Sequence, residues 1–525
     1  MRNLAIVTLL YITLPTYFFL YFWVNSNYSI VSIITLTAVI IFSIYKTNDK
    51  KPDSIQLPFS LKPVLLFSFI ISLTLSYFSE FGGFNYQSYD YQAHNFKFNL
   101  LATQSLPLYD QDHDVYMCYY LGYYIIPSLL GKISSLHFIK GFAFIWTWFG
   151  LFLSFSWIQI RFKDLKNRQR ILISILIIFG SYVSVLLPAL SKLLSGALNF
   201  QNNSVLINGK FVLNQLPVFS KSLSEAPQHT LPAILGTCFF LVAITDLKYF
   251  YAFAVFIFSS FFWTPFTTIG LSLFCLYFVY VGFQRDQFRF IITAAIFGCL
   301  LLTAFYPVIA FLLSSAATSM ESNLFIWQAG SSVWPLYYLL YLFGFFGIWF
   351  IFFKKRLLEF DRALLLIAFI TFALLGLVQV GHFNDLNTRG SIAAQLVLGT
   401  SVAYAFLAGS RSKVKNIRMI AAALFLAVNT LSFVKFYYER LFTLDMGSIN
   451  TIEHPEVSEL GDNYYDFLEK GYSNGKEVVQ QYSLKKGSIF EKYLLKRNFS
   501  IALDSKEDKQ KTAPRGAALI NIRLH

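Results

Sequence analysis

From Thr230 to Gln284 the chain reads TLPAILGTCFFLVAITDLKYFYAFAVFIFSSFFWTPFTTIGLSLFCLYFVYVGFQ, with Asp246 and Lys248 as its only charges. A helix that crosses about 30 Å of hydrocarbon takes about 20 apolar residues. These 55 residues therefore hold either three short spans or two long ones. The flanking charges decide between them. With three spans, the clusters Lys46/Lys50/Lys51, Arg161/Lys163/Lys166/Arg168/Arg170, Arg285/Arg289, Lys354/Lys355/Arg356 and Arg411/Lys413/Lys415/Arg418 fall on one side, which the positive-inside rule makes the cytoplasm. With two, every cluster from Arg285 onward falls outside.

The rest of the chain has the same character. Of its 525 residues 56% are hydrophobic and 13% charged, with 59 Phe and 32 Tyr, and the mean hydropathy is +0.54. Such a composition calls for lipid as solvent. The expected fold class is an all-α polytopic membrane protein of about thirteen transmembrane helices. These are predicted near 4–24, 28–45, 63–79, 137–159, 171–190, 230–246, 249–264, 266–284, 290–313, 331–353, 361–380, 391–409 and 417–436. The run Leu4 to Val24 is too long for a signal-peptide core and precedes no small-residue cleavage pattern, so it is expected to be retained. A net charge of +14 raises nucleic acid as a partner. The basic residues, however, sit in short clusters between apolar runs, where membrane orientation accounts for them, and no nucleic-acid motif is present. The four cysteines are scattered and form neither a disulfide framework nor a zinc pattern. Residues 437–525 are predicted to be an extracytoplasmic tail with a small helical or α+β unit and a frayed end.

On this topology the loops near 80–136, 191–229, 314–330 and 381–390 share the outer side. The first opens with SYDYQAHNFKFNL, Ser88 to Leu100, where Asp90, His94 and Lys97 recur at the spacing that stacks side chains on one helix face. That pattern fits a carboxylate general base with a His and a Lys to orient it or meet a phosphate. It fits equally well the polar face of an interfacial helix. The loop ends in YMCYYLGYYIIPSLLGK, Tyr116 to Lys132, predicted to lie in the interface with its tyrosines at headgroup level and Lys132 toward phosphate.

Between these stretches, YDQDHDVY sets Asp110, Asp112 and Asp114 on alternate residues around His113. Alternating carboxylates suit a hard divalent metal. The loop lacks the Gly and closing Glu of a calcium hand, so a solvated acidic turn is the preferred reading, and Asp112 is kept as the metal candidate. The second outer loop ends in SEAPQHTLPA, which brings Glu225, Gln228 and His229 to the mouth of a span. Pro227 and Pro232 already explain it as a turn and helix start. Trp263 to Thr268, WTPFTT, turns at the same depth, where Trp263 would serve as a belt residue. The last loop, GHFNDLNTRGS, packs His382, Asn384, Asp385 and Arg389 into a short outer turn. An i,i+4 pair with Asp385 accounts for Arg389 in part. The functional alternative is a guanidinium gripping phosphate.

The order of these motifs resembles the multi-span glycosyltransferases of the GT-C superfamily, which include aminoarabinose and protein mannosyl transferases. The likeness covers about residues 63–410. It is carried by Asp90 and His94 just after a span, by Pro107, by the run Tyr120 to Lys132, and by APQH and FND…R.S. The resemblance implies that Asp90 is the base that deprotonates an acceptor hydroxyl. It also implies that basic side chains, Arg389 first and then Lys97 or Lys132, hold the phosphate of a polyprenyl-phosphate-linked sugar donor. The acceptor would be a cell-envelope glycan or lipid, with the lipid bilayer as surroundings and a divalent metal possible. The enzyme would lie in the cytoplasmic membrane of a bacterium with its N-terminus inside. The chain departs from the family in two ways: residues 1–62 add two spans before the core at 63–436, and the usual adjacent acidic pair becomes Glu80 and Asp90. A transporter or flippase of lipid-linked saccharides and an O-antigen polymerase or ligase are the competing readings. The first would call for inverted repeats and charges within spans; the sequence carries no internal repeat and almost no charge within the spans.

Overall fold

The structure, a computed structural model, describes residues 1–47, 62–84, 87, 89–179, 199–201, 204–208, 210–214, 219–316, 324–381, 384–407, 464–471 and 475–497, with isolated positions between 420 and 438. The chain is overwhelmingly helical. Among the described residues seven segments are long and apolar enough to cross a membrane: Arg2–Trp23, Ser26–Lys46, Leu136–Arg161, Pro265–Gln284, Phe288–Leu313, Trp334–Leu358 and Asp385–Leu407. This architecture is compatible with an all-α polytopic membrane protein. Most of the expected span at 417–436 lies outside the described residues.

The first helices are α1 (Arg2–Trp23), α2 (Ser26–Lys46) and α3 (Lys62–Tyr77), followed by α4 (Tyr89–Thr103), α5 (Ile125–Ile133), α6 (Ile139–Arg161) and α7 (Asn167–Phe179). Then come α8 (Phe219–Glu225), α9 (Pro227–Ala243), α10 (Phe250–Trp263) and α11 (Pro265–Leu313). The series continues with α12 (Trp334–Leu342), α13 (Ile348–Gly376), α14 (Asp385–Gly390) and α15 (Ile392–Leu407), and ends with α16 (Tyr464–Gly471) and α17 (Gly475–Gln481). Helix is the form an apolar segment takes when no water can serve its backbone. The few polar side chains inside the long helices follow the same constraint and turn back onto the preceding turn. Thr13 donates to Leu9, Ser43 to Val39, Ser154 to Gly150, Thr237 to Ala233 and Thr400 to Leu396.

Two helical runs double back on themselves. In α11 the Phe278 and Phe290 rings both lie against Phe250, at 5.6 and 5.1 Å between centroids. Twelve residues of straight helix would hold them about 18 Å apart, so the chain bends sharply between them. In α13 the reversal is at Asp361, whose backbone is extended and whose carboxylate accepts the Leu364 N–H at 3.0 Å, an N-cap inside the run. The limbs on either side then face one another, with Phe345 4.2 Å from Phe372. α10, nearly all buried, lies at the centre, with α1, α2, α9 and α11 packed around it.

Among the described residues the polar loops also form small antiparallel pieces. β1 (Tyr109–Asp110) pairs with β2 (Val115–Tyr116). β3 (Asn199–Gln201), β4 (Ser204–Ile207) and β5 (Phe211–Asn214) form a meander, and β6 (Leu324–Phe325) pairs with β7 (Val378–Gln379).

Two expectations for this region are corrected. In the run Tyr116 to Lys132 only Ile125–Ile133 is helical, and Tyr123 and Tyr124 are fully buried rather than at headgroup level. They pack beneath α4 and against α6, where Tyr123 meets the Thr147 hydroxyl at 2.9 Å. Trp263 is likewise no belt residue: it is fully buried and donates its indole N–H to the Ile12 carbonyl at 3.1 Å.

The C-terminal unit, α16 and α17 with the strap 482–497, packs on the same end of the bundle as α4. Its backbone is stitched to three distant places. Cys118 N–H donates to Tyr482 O and Leu484 N–H to Tyr116 O; Lys485 N–H donates to Ser314 O; Asn25 N–H donates to Leu494 O and Lys496 N–H to Trp23 O, all at 2.8–2.9 Å. Phe490 fills the space beneath, 6.1 Å from Phe19 and 5.0 Å from Phe311.

Candidate functional site

α4 and α5 pack against each other, and α4 carries three of the candidate residues. Asp90 stands in its first turn, and its side chain is outside the described residues. His94 follows one turn later, 4% exposed. Its Nδ1 is 2.6 Å from the Tyr124 hydroxyl and its Nε2 3.3 Å from the Glu225 carbonyl oxygen. A carbonyl only accepts, so Nε2 carries the ring proton and Nδ1 accepts that of Tyr124. Burial, and after it the charge of Lys97, hold the His94 pKa well below the ordinary imidazole value, so the ring is neutral.

Lys97 is 2% exposed. Its Nζ lies 4.3 Å from the ring centroid of Tyr119, 5.1 Å from Tyr124, 5.4 Å from Tyr464 and 5.7 Å from Tyr482. Aromatic faces attract a cation, more so away from water. Two of the four rings come from the loop ahead of α5 and two from the C-terminal unit.

His229 sits in the first turn of α9, which Pro227 opens. Its Nδ1 meets the Thr264 hydroxyl at 2.6 Å, and its carbonyl accepts the Thr267 hydroxyl at 2.9 Å, so the α10–α11 corner fixes both ring and backbone. The ring lies 5.0 Å from Tyr120 and within electrostatic reach of Arg389, His94 and Lys97. Next to it Gln228 is buried, with no partner for its Oε1 among the described residues. Glu225 contributes its carbonyl; its carboxylate is 3.6 Å from Lys221.

Asp385 and Arg389 belong to α14, capped by Asn384 in the left-handed region, φ 53°. Their side chains pair at 3.8 Å. Burial and then the Asp385 carboxylate push the Tyr120 hydroxyl pKa up, with Arg389 acting in the opposite sense. α14 owes its position to a close crossing: a Cβ built on Gly270 would stand 1.9 Å from the Gly390 carbonyl oxygen.

The fold thus brings His94, Lys97, Gln228, His229, Asp385 and Arg389 to one end of the bundle around Tyr120 and Tyr124. It leaves other candidates apart. Lys132 donates to the Gln104 carbonyl at 2.6 Å, two turns of α5 away from Tyr124. Asp112 is exposed at the tip of the β1–β2 hairpin. Its neighbours are engaged elsewhere: Asp110 binds His113 at 2.9 Å, and Asp114 takes Tyr109 and Lys486. Among the described residues no three His, Cys, Asp or Glu side chains gather as a metal site. His382 lies outside the described residues.

Sequence reasoning missed Tyr124, Thr264, Tyr464 and Tyr482. The tyrosine run at 119–124 was visible, but composition does not distinguish a buried tyrosine from one in the interface. Compared with family models, curated proteins and solved structures, the chain matches none.

Proposed function

We propose that the protein is a membrane glycosyltransferase that moves a sugar from a polyprenyl-phosphate carrier to an acceptor hydroxyl at the outer face of the cytoplasmic membrane. The observation that carries this reading is the convergence of residues 94, 97, 229, 385 and 389, far apart in sequence, at one end of an apolar bundle. Two histidines, two cations and a carboxylate at the end of an apolar bundle suit a substrate with an anionic head and a long apolar tail. The thirteen-span topology, N-terminus inside, belongs to the same proposal. Its support is the seven segments among the described residues that are long and apolar enough to cross a membrane, and the sequence pattern of basic clusters that the positive-inside rule assigns to one side.

In the proposed reaction Asp90 takes the proton of the acceptor hydroxyl. The oxygen attacks the anomeric carbon with inversion as the bond to the carrier phosphate breaks, and the phosphate leaves with the electron pair. Arg389 and Lys97 meet the charge that grows on the phosphate and so bind the transition state more tightly than the ground state. His94, with both nitrogens engaged, holds the Tyr124 and Glu225 segments in register and moves no proton itself. The test is Asp90→Asn in the full-length protein, assayed for sugar transfer from a polyprenyl-phosphate donor. Loss of general-base catalysis predicts a drop of about 10²–10⁴-fold; near wild-type transfer removes Asp90 as the base.

A further inference from the structure

The proposed reaction leaves the C-terminal unit without a task, yet that unit reaches the deepest cation of the site. Tyr464 is fully buried, and its hydroxyl has no partner among the described residues. Its ring stands 5.4 Å from the Lys97 ammonium and 5.6 Å from Tyr482. A buried hydroxyl without an acceptor is unfavourable. Its placement is also over-determined: Phe467, three residues on, packs 5.3 Å from Phe96 beside Lys97, and the strap that follows is tied to the bundle by the five backbone hydrogen bonds above. A donor held this firmly beside an ammonium is built for an acceptor that carries negative charge.

We propose that the C-terminal unit completes a phosphate subsite in which the Tyr464 hydroxyl and the Lys97 ammonium act on the same phosphate group. The four tyrosine rings hold the ammonium by their faces and exclude water, and in such surroundings a charge-assisted hydrogen bond is at its strongest. Tyr464 is the donor that turns a cation held among rings into a receptor for an oxyanion. The identity of the phosphate bearer, a polyprenyl-linked donor, rests on the function proposed above; the subsite itself does not.

The experiment measures binding without turnover, on the full-length protein in detergent, by calorimetric titration with inorganic phosphate and separately with polyprenyl phosphate. The wild type is expected to bind both. Tyr464→Phe keeps the ring and removes only the hydroxyl; it is expected to weaken both by about tenfold or more, as loss of a hydrogen bond to a charged group does, with the ligand-free thermal midpoint held or raised. Lys97→Arg retains binding and Lys97→Met abolishes it. Phosphate binding by Tyr464→Phe equal to the wild type, or no phosphate binding by the wild type, overturns the subsite. Tyr464-dependent binding of inorganic phosphate with refusal of polyprenyl phosphate upholds the subsite and overturns the glycosyl-transfer reading.

Discussion

Replacing Gly270 by Ala sets two physical effects against each other, and the geometry says which wins. In an exposed helix interior the change gains about 1 kcal/mol of helix propensity. Here the new methyl would stand 1.9 Å from the Gly390 carbonyl oxygen, with the Gly390 carbonyl carbon 2.9 Å away. Ordinary contact is at about 3.5 Å, so α11 and α14 must part by about 1.5 Å. The obstacle is backbone on both sides and no side chain can swing aside. Overpacking of a close-packed interior costs about 1–3 kcal/mol, and at a backbone-to-backbone contact the upper end applies, for a net loss of about 2 kcal/mol after the propensity gain.

The displaced helix carries Arg389, and under the proposed function a shift of this size in a positioning element costs about 10²-fold in rate. Gly298 supplies the control. It lies in the same α11, and a Cβ there meets nothing within 4 Å. Thermal inactivation half-lives in detergent, the relevant measure where unfolding is irreversible, are expected to shorten for Gly270→Ala and to hold or lengthen for Gly298→Ala. A Gly270→Ala protein as durable as the wild type would refute the crossing.

Two further outcomes are expected. Tyr124→Phe strips His94 Nδ1 of its partner in a buried place, which costs about 1–3 kcal/mol of stability; an unchanged thermal midpoint would show that this hydrogen bond does not hold α4 to the Tyr124 segment. The C-terminal unit is expected to loosen with rising pH through His113. Burial lowers its pKa, but the hydrogen bonds to Asp110 and Glu469 outweigh burial and raise it. A raised folded value means that this stabilisation is complete below the unfolded value of about 6.5 and is lost as pH climbs through the folded one. Amide exchange in α16 should therefore quicken from about pH 6 to 8 in the wild type and stay level in His113→Gln; equal profiles would dismiss the link.

Long apolar runs were legible because their length alone demands a helix, so α1, α2, α6 and the two limbs of α11 stand close to where hydropathy sets them. The reversal at Asp361 was marked by the polar break between two such runs. The candidate site was legible in part: Asp90, His94 and Lys97 do fall on one helix, α4, His229 does stand in the first turn of α9, and Arg389 lies in the last turn of the short α14 on the same end. Its other half was not. Nothing local to Lys97 announces Tyr464 or Tyr482, which reach it from more than 360 residues away through strap contacts that have no periodicity. Lys132 misled because a basic residue at the end of an amphipathic run looks alike whether it faces phosphate or, as here, caps a neighbouring helix through the Gln104 carbonyl.

The strap that joins Leu494 and Lys496 to the α1–α2 corner also sets a schedule. Chains are made from the N-terminus at about 5–20 residues per second, so roughly 20–80 s separate the synthesis of Lys97 from that of the strap. Throughout that interval the first hairpin and the tyrosine-lined lysine exist without their closing partners. The cluster around Lys97 is therefore completed only in molecules whose translation has run past the strap, and a prematurely terminated chain is left with that cluster open on the side of the missing tyrosines.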